Sequence, residues 1–212
     1  MVESAGGTPR NLTRGYQGTA SWVGWRPGRG AELIVRGIER QSTFVISLAL
    51  SDGKQTSLLK GDAMVSSEPT FSSDGSAFAI VANTPAHPNE VFLVHAAGGA
   101  ARRLTDFNPQ LQDVRLGEQR VVRWKSTDGW DIEGVVVLPV GYVNGRRYPT
   151  VLQPHGGPEA AYLNGWMASY GRWGQMLAGM GYVTFYPNYR GSIGRGPEFA
   201  MADHRDLMGR EF

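Results

Sequence analysis

The 212-residue sequence contains no cysteine, which removes disulfide scaffolds, thiolate zinc centres and cysteine nucleophiles together. Lysine is almost absent. Lys54, Lys60 and Lys125 are the whole complement, so nearly all of the 21 basic residues are arginine, and 19 acidic residues leave a net charge of +2. So small a balance produces no long-range field to gather nucleic acid or an anionic membrane, and neither is expected as a partner. The four histidines, His87, His95, His155 and His204, lie far apart with no HExxH-type spacing, and no metal or cofactor is expected. No apolar run approaches the roughly 20 residues that cross a bilayer, and Met1-Val2-Glu3-Ser4 lacks the basic and apolar regions of a secretory leader. With cysteine missing as well, a cytoplasmic location is the expectation.

What is present is a chain rich enough in apolar residues (41%) to bury a core, with 29 glycines and 12 prolines. That is about twice the usual glycine content and predicts many turns and short strands. The first half repeats itself with a period of about 46 residues, within the range of propeller blades. Gly6-Gly7 leading to Leu12-Thr13, Asp52-Gly53 leading to Leu58-Leu59, and Gly98-Gly99 leading to Leu104-Thr105 keep both internal spacing and mutual offset. Each unit reads as four short strands, the first set near 20–26, 32–37, 43–49 and 55–59, separated by Pro27-Gly28, Ser51-Asp52-Gly53, Ser73-Asp74-Gly75 and Gly98-Gly99. Four strands per unit match a β-propeller blade, with a β-sandwich as the other possibility. Trp22, Trp25, Phe44, Phe71 and Phe92 fall at strand positions and are expected in the core. Two blades alone leave open sheet edges, so self-association is expected.

After Asn108-Pro109-Gln110 the repeat stops. A hairpin is expected from 121–124 and 132–138 around Ser126-Thr127-Asp128-Gly129. The apolar stretch 148–153 reads as a strand, and Tyr170, Trp173, Met176, Leu177 and Met180 recur at helical spacing before Gly179 and Gly181 end the helix. A strand over 182–186 and a mobile glycine-rich loop over 191–196 follow. This order opens an α/β sheet with a parallel core.

Chemistry is concentrated at His155-Gly156-Gly157-Pro158, directly after a strand and before a helix. Acyl transfer needs backbone N–H groups aimed at the oxyanion of a tetrahedral intermediate, and in α/β-hydrolases one donor comes from a His-Gly-Gly loop in this position. The Gly157 N–H is the candidate donor, with Gly156 leaving the backbone bare and His155 shaping the loop. Two serines look superficially like nucleophiles, Ser169 in Ala168-Ser169-Tyr170-Gly171 and Ser192 in Gly191-Ser192-Ile193-Gly194, yet neither fits Gly-x-Ser-x-Gly. The pairs Asp203/Asp206 and Asp128/Asp131, and His204 on a polar stretch of helical character, read as solvated surface. The loop 191–196 has neither Gly-x-Gly-x-x-Gly nor a P-loop lysine, so it does not read as a nucleotide site.

The string His155-Gly156-Gly157-Pro158, then Gly179-Met180-Gly181-Tyr182-Val183, then Asn188-Tyr189-Arg190-Gly191-Ser192-Ile193-Gly194-Arg195-Gly196 with Phe199, resembles the start of the catalytic domain of the prolyl oligopeptidase family, on its acylaminoacyl-peptidase and dipeptidyl-peptidase branch. The resemblance is specific over 148–199 and generic over the repeats. It implies β-propeller blades followed by the N-terminal part of an α/β-hydrolase domain, a mixed β and α/β fold. Residues 1–107 would be the last blades, 108–120 a linker and 121–212 the hydrolase portion, ending before the nucleophile. It implies a serine peptidase acting on short peptides, with Gly157 in the oxyanion hole and 188–196 supporting the cleft edge. None of the Ser, Asp and His of the triad is in the chain, so no peptidase activity is expected from it alone. The alternative is a non-enzymatic propeller-type binding module with a degenerate appended sheet.

Overall fold

A computed structural model describes residues 1–2, 4–59, 62–157 and 159–209. Three sheets carry most of the ordered backbone, and the helices among the described residues are short. The first sheet is a meander of β1 (Thr19–Trp25), β2 (Glu32–Glu39), β3 (Ser42–Ala49) and β4 (Gln55–Ser57), each antiparallel to its neighbour in chain order. The second sheet repeats it. Here β5 (Met64–Val65) and β6 (Thr70–Phe71) pair end to end along one edge of β7 (Ala77–Thr84), which is followed by β8 (His87–His95) and β9 (Arg102–Arg103).

The repeat explains why one strand of the first sheet becomes two in the second. A shift of about 46 residues carries β1 onto the span from Met64 to Phe71. In the first sheet the β1–β2 register slips between Ala20 and Trp22, and the same place in the second unit is Ser66-Ser67-Glu68-Pro69. Pro69 has no N–H to give the ladder, so the bulge widens into a break.

Strict alternation builds the core between these sheets. In β7, Phe78, Ile80 and Ala82 point inward, and in β8, Glu90, Phe92 and Val94 do so. The apolar ones join Ile34 and Val45 of the first sheet in one cluster, with Trp22 and Phe71 packed on its margin. Burying each large side chain contributes about 1.5–3 kcal/mol. Phe44 packs on a smaller cluster with Val35, Ile46 and Leu48. Trp25 departs from expectation, for it is 62% exposed, being the last residue of β1 where the sheet ends.

The third sheet has the order β10 (Gln119–Lys125), β11 (Asp131–Val137), β13 (Val183–Asn188), β12 (Thr150–Leu152). β10, β11 and β13 are antiparallel, whereas β12 and β13 run parallel. The β12-to-β13 crossover contains α1 (Gly174–Gly179), as parallel neighbours require. β11 is buried on both faces and accordingly valine-rich.

Three expectations are corrected here. The apolar stripe around α1 does not face the core: Tyr170, Trp173, Met176 and Met180 are exposed, and Gly174, Gln175 and Ala178 are buried. Close approach is the reason, since a Cβ on Gly174 would lie 2.8 Å from Val137 Cγ2 and 2.9 Å from Tyr186 Oη. The stretch after α2 (Pro197–Ala200) is a series of turns rather than a polar helix, and Asp203 within it is buried rather than solvated. The loop 191–196 is not loose either. Gly191, Ser192, Gly194 and Gly196 are buried, and both backbone groups of Gly194 are tied to the first sheet, its N–H donating to Thr19 Oγ1 (2.9 Å) and its carbonyl accepting from Arg40 N–H (2.7 Å).

Candidate functional site

β12 and β13 end side by side, so the segments that leave them, beginning at Gln153 and Tyr189, meet above the sheet. Alternation in β13 sends Thr184, Tyr186 and Asn188 inward. Asn188 then clamps the returning chain: its Oδ1 accepts from Tyr162 N–H (2.7 Å) and its Nδ2 donates to Tyr162 carbonyl (2.9 Å), all buried. Tyr162 packs edge-on to both His155 (5.4 Å) and Tyr186 (4.7 Å). The segment continues to both meander sheets, with Asn164 N–H donating to Gln41 carbonyl and Trp166 N–H to Asn83 Oδ1, each 2.9 Å.

His155 is held on three sides. Its ring stacks on Tyr189 at 4.6 Å and 18°, and the Tyr189 hydroxyl donates to the His155 carbonyl. Nδ1 lies 3.1 Å from the Gly156 carbonyl and Nε2 3.0 Å from Ser192 Oγ. The neutral tautomer with Nδ1–H donating satisfies both contacts, leaving Nε2 to accept from the Ser192 hydroxyl. Burial pushes the imidazole pKa down, against a smaller opposing effect of the Gly156 hydrogen bond. A Ser–His contact of this length resembles a nucleophile and its base. Ser192 is 0% exposed, however, and His155 Nδ1 faces a carbonyl rather than a carboxylate. Buried serine cannot reach a substrate; it orients the imidazole instead.

Gly157 has φ of +139°, a region that disfavours side chains, and a Cβ there would meet Glu159 N at 3.1 Å and Ala160 Cβ at 3.2 Å. Glycine is therefore required by the turn. The residue is exposed, and no described residue accepts its N–H. Gly156 differs: its φ is not positive and open space surrounds the place of a Cβ. Pro158 lies outside the described residues. The loop borders a pocket of about 750 Å³ that runs along the sheet face past Leu152 and Phe185 toward Arg190. Arg190 is buried over the Trp130 ring (5.2 Å) and bonds Asp128 and Ser126 Oγ (2.9 Å for the latter), so Asp128 is an anchor for the loop after β13.

The structure thus gathers His155, Gly157, Asn188, Tyr189 and Ser192 at one end of the parallel strand pair. Sequence reasoning pointed to His155 and Gly157, gave 188–196 as a whole a supporting role at the cleft edge, and set Ser192 aside as a false nucleophile. Gln175, whose amide bridges Gly117 N–H (2.7 Å) and Gly117 carbonyl (3.0 Å), went unnoticed because a lone glutamine between apolar neighbours carries no pattern. Ser169 lies in a turn in which its backbone pairs with that of Arg172.

No family model matches the chain. Curated proteins do. The uncharacterized peptidase YuxL of Bacillus subtilis is 27% identical over 144 residues, 68% of this chain and 21% of that protein. Dipeptidyl-peptidase 5 of Porphyromonas gingivalis is 31% identical over 114 residues, 53% of this chain and 16% of its own length. Among solved structures, the acylaminoacyl peptidase of Pyrococcus horikoshii superposes with a TM-score of 0.76 at 22% identity, over 95% of this chain and 30% of that one. The chain shares its fold with the Pyrococcus enzyme, and the curated proteins it is similar to are named as peptidases, which are hydrolases. Within that class the relatives carry the names of dipeptidyl-peptidases and acylamino-acid-releasing enzymes. The chain spans no more than about a fifth of the length of these curated relatives.

Proposed function

We propose that these residues are the oxyanion-binding part of a serine peptidase of the acylaminoacyl- or dipeptidyl-peptidase type acting on short peptides. In this reading the third sheet opens an α/β-hydrolase domain and the two meander sheets are blades of a β-propeller that limits access to the site. The domain division is 1–107 for the blades, 108–120 for the linker and 121–212 for the hydrolase portion. The observation that carries the reading is Gly157: an exposed turn glycine whose N–H no described residue engages, fixed at the end of a parallel strand by the stacked and hydrogen-bonded His155. Such a donor stabilises the charge that develops on a scissile carbonyl. No Gly-x-Ser-x-Gly occurs in the 212 residues, so the nucleophile lies outside them and the chain alone is inactive. The peptidase relatives give no support to the binding-module alternative.

A fluorophosphonate probe tests this directly. The 212-residue chain is expected to remain unlabelled, and a longer product of the same gene containing Gly-x-Ser-x-Gly is expected to be labelled once per chain. In that longer protein Gly157→Ala, which displaces the donor, is expected to lower kcat on acyl-aminoacyl or dipeptidyl anilides by about 100-fold. Stoichiometric labelling of the 212-residue chain, or wild-type turnover by the Gly157 variant, overturns the reading.

A further inference from the structure

Five dipeptides in the sequence set an asparagine or aspartate before glycine: Asp52-Gly53, Asp74-Gly75, Asp128-Gly129, Asn144-Gly145 and Asn164-Gly165. In such a pair the glycine's backbone nitrogen can attack the preceding side-chain carbonyl, because no Cβ shields it. The attack needs that N–H free. In four of the five it is engaged: Gly53 N–H donates to the Ala49 carbonyl (3.0 Å), Gly75 to Ser72 (2.9 Å), Gly129 to Ser126 (2.9 Å) and Gly165 to Leu163 (2.8 Å). Register within the turn is the reason, since Gly75 and Gly129 are the closing donors of their turns. At Asn144-Gly145 the register differs by one. Here the closing donor is Arg146 N–H, to the Val143 carbonyl (3.3 Å), so Asn144 and Gly145 occupy the two central positions. Gly145 has φ of +82°, the sign that the third residue of a type II turn takes. Neither its N–H nor the Asn144 side chain is bonded to a described residue.

We propose that Asn144 is a modification site, where the folded protein deamidates itself in preference to its other Asn-Gly pair. Hydroxide removes the Gly145 amide proton, and the nitrogen attacks Asn144 Cγ. The new C–N bond closes a cyclic succinimide while the side-chain nitrogen takes a proton from water and leaves as ammonia, regenerating hydroxide. Water then opens the ring at either carbonyl, giving aspartate or, with the chain rerouted through the side chain, isoaspartate. The surroundings favour each step. Residues 143–147 are exposed, and nothing lies within 4 Å of the place of a Cβ on Gly145. Arg146 and Arg147 follow directly, and nearby positive charge favours the amide anion. The turn is also held in shape, with Val143 N–H donating to Tyr148 Oη (2.9 Å) and the Arg146 guanidinium over the Tyr148 ring (5.3 Å). Asn164 is enclosed by comparison, its N–H donating to the Gln41 carbonyl and its Oδ1 accepting from Gln119 Nε2 (3.3 Å). Each conversion at 144 lowers the net charge of +2 by one, and isoaspartate adds a backbone carbon to the turn that precedes β12. The site is independent of the peptidase reading.

The test holds the purified 212-residue chain in mildly alkaline buffer, with and without guanidinium chloride, and follows aspartate and isoaspartate at 144 and 164 by peptide mass spectrometry. In the folded chain Asn144 is expected to convert at least about tenfold faster than Asn164, whose hydrogen bonds must open before reaction. In guanidinium chloride, where turn register is lost, the two are expected to convert alike. Asn144→Gln, whose longer side chain closes a ring poorly, is expected to abolish the acidic charge variant that accumulates in isoelectric focusing. The same variant is expected to melt with the parent, because the exposed side chain makes no hydrogen bond to a described residue. Conversion at 164 that keeps pace with 144 in the folded chain overturns the proposal. So does an intact Asn144 amide in the folded chain over the time in which the denatured chain converts, or undiminished acidification of N144Q.

Discussion

Gly156 and Gly157 are adjacent and chemically identical, yet the fold asks different things of them. At Gly157 a methyl group must occupy a positive-φ position against Glu159 N and Ala160, so Gly157→Ala is expected to destabilise the chain by about 1–3 kcal/mol in denaturant unfolding. Gly156→Ala meets open space and is expected to change stability by less than about 0.5 kcal/mol. Beside them, His155 makes the site sensitive to acid. Burial lowers its pKa in the fold below the ordinary 6.5, so the unfolded chain takes up the proton first and stability falls as pH drops through about 6.5 toward the lower folded value. Thermal melts from pH 7.5 to 5 are expected to show this loss, and His155→Gln is expected to flatten it.

At the scale of elements, α1 shows what periodicity can and cannot say. Its position was legible, because Trp173, Met176, Leu177 and Met180 recur at helical spacing. Its orientation was not: apolar spacing alone turns the large side chains inward, while backbone proximity to β11 and β13 selects the small face of Gly174 and Ala178. Gln175 sits on that inner face and holds both backbone groups of Gly117. Gln175→Leu leaves a buried N–H and carbonyl unpaired and is expected to cost about 2–4 kcal/mol, measured by chemical denaturation. The strands of the first sheet, by contrast, were readable to within a residue or two, because one repeat checks the other and turn glycines punctuate both. His155 and Gly157 were legible as a motif. Ser192, Asn188 and Tyr189 act through contacts between segments far apart in sequence, which no local pattern encodes.

Across the whole molecule, one buried carboxylate ties the sheets together. Glu133 of β11 meets Arg40 from the β2–β3 hairpin at 2.9 Å, Arg123 of β10 at 3.3 Å and Arg195 at 3.8 Å. Arg195 is itself largely buried against Phe199, and the desolvation pushes its pKa down. Glu133→Gln strands that guanidinium and is expected to cost about 3 kcal/mol or more, with the loss visible as a lower melting temperature. Trp124 and Leu152, exposed on the outer strands of the third sheet, together with the edge of β12 that no described strand pairs, are expected to drive concentration-dependent association in sedimentation velocity. A single monomeric species at all concentrations contradicts that expectation.

The attachment of Gly194 to Thr19 and Arg40 bears on how this chain can be recombined with its relatives. Arg40 takes the left-handed conformation at φ +55°, and a Cβ on Gly194 would crowd Ile38 at 2.8 Å. A chimera that imports a foreign first sheet must therefore also import, or rebuild, a hydroxyl at position 19, a β-branched side chain at 38 shaped to the bare Gly194, and a hairpin that turns its amide at 40 toward the loop. Grafts chosen by domain boundary alone would cut through this joint, and the part released would be the loop whose serine steadies His155.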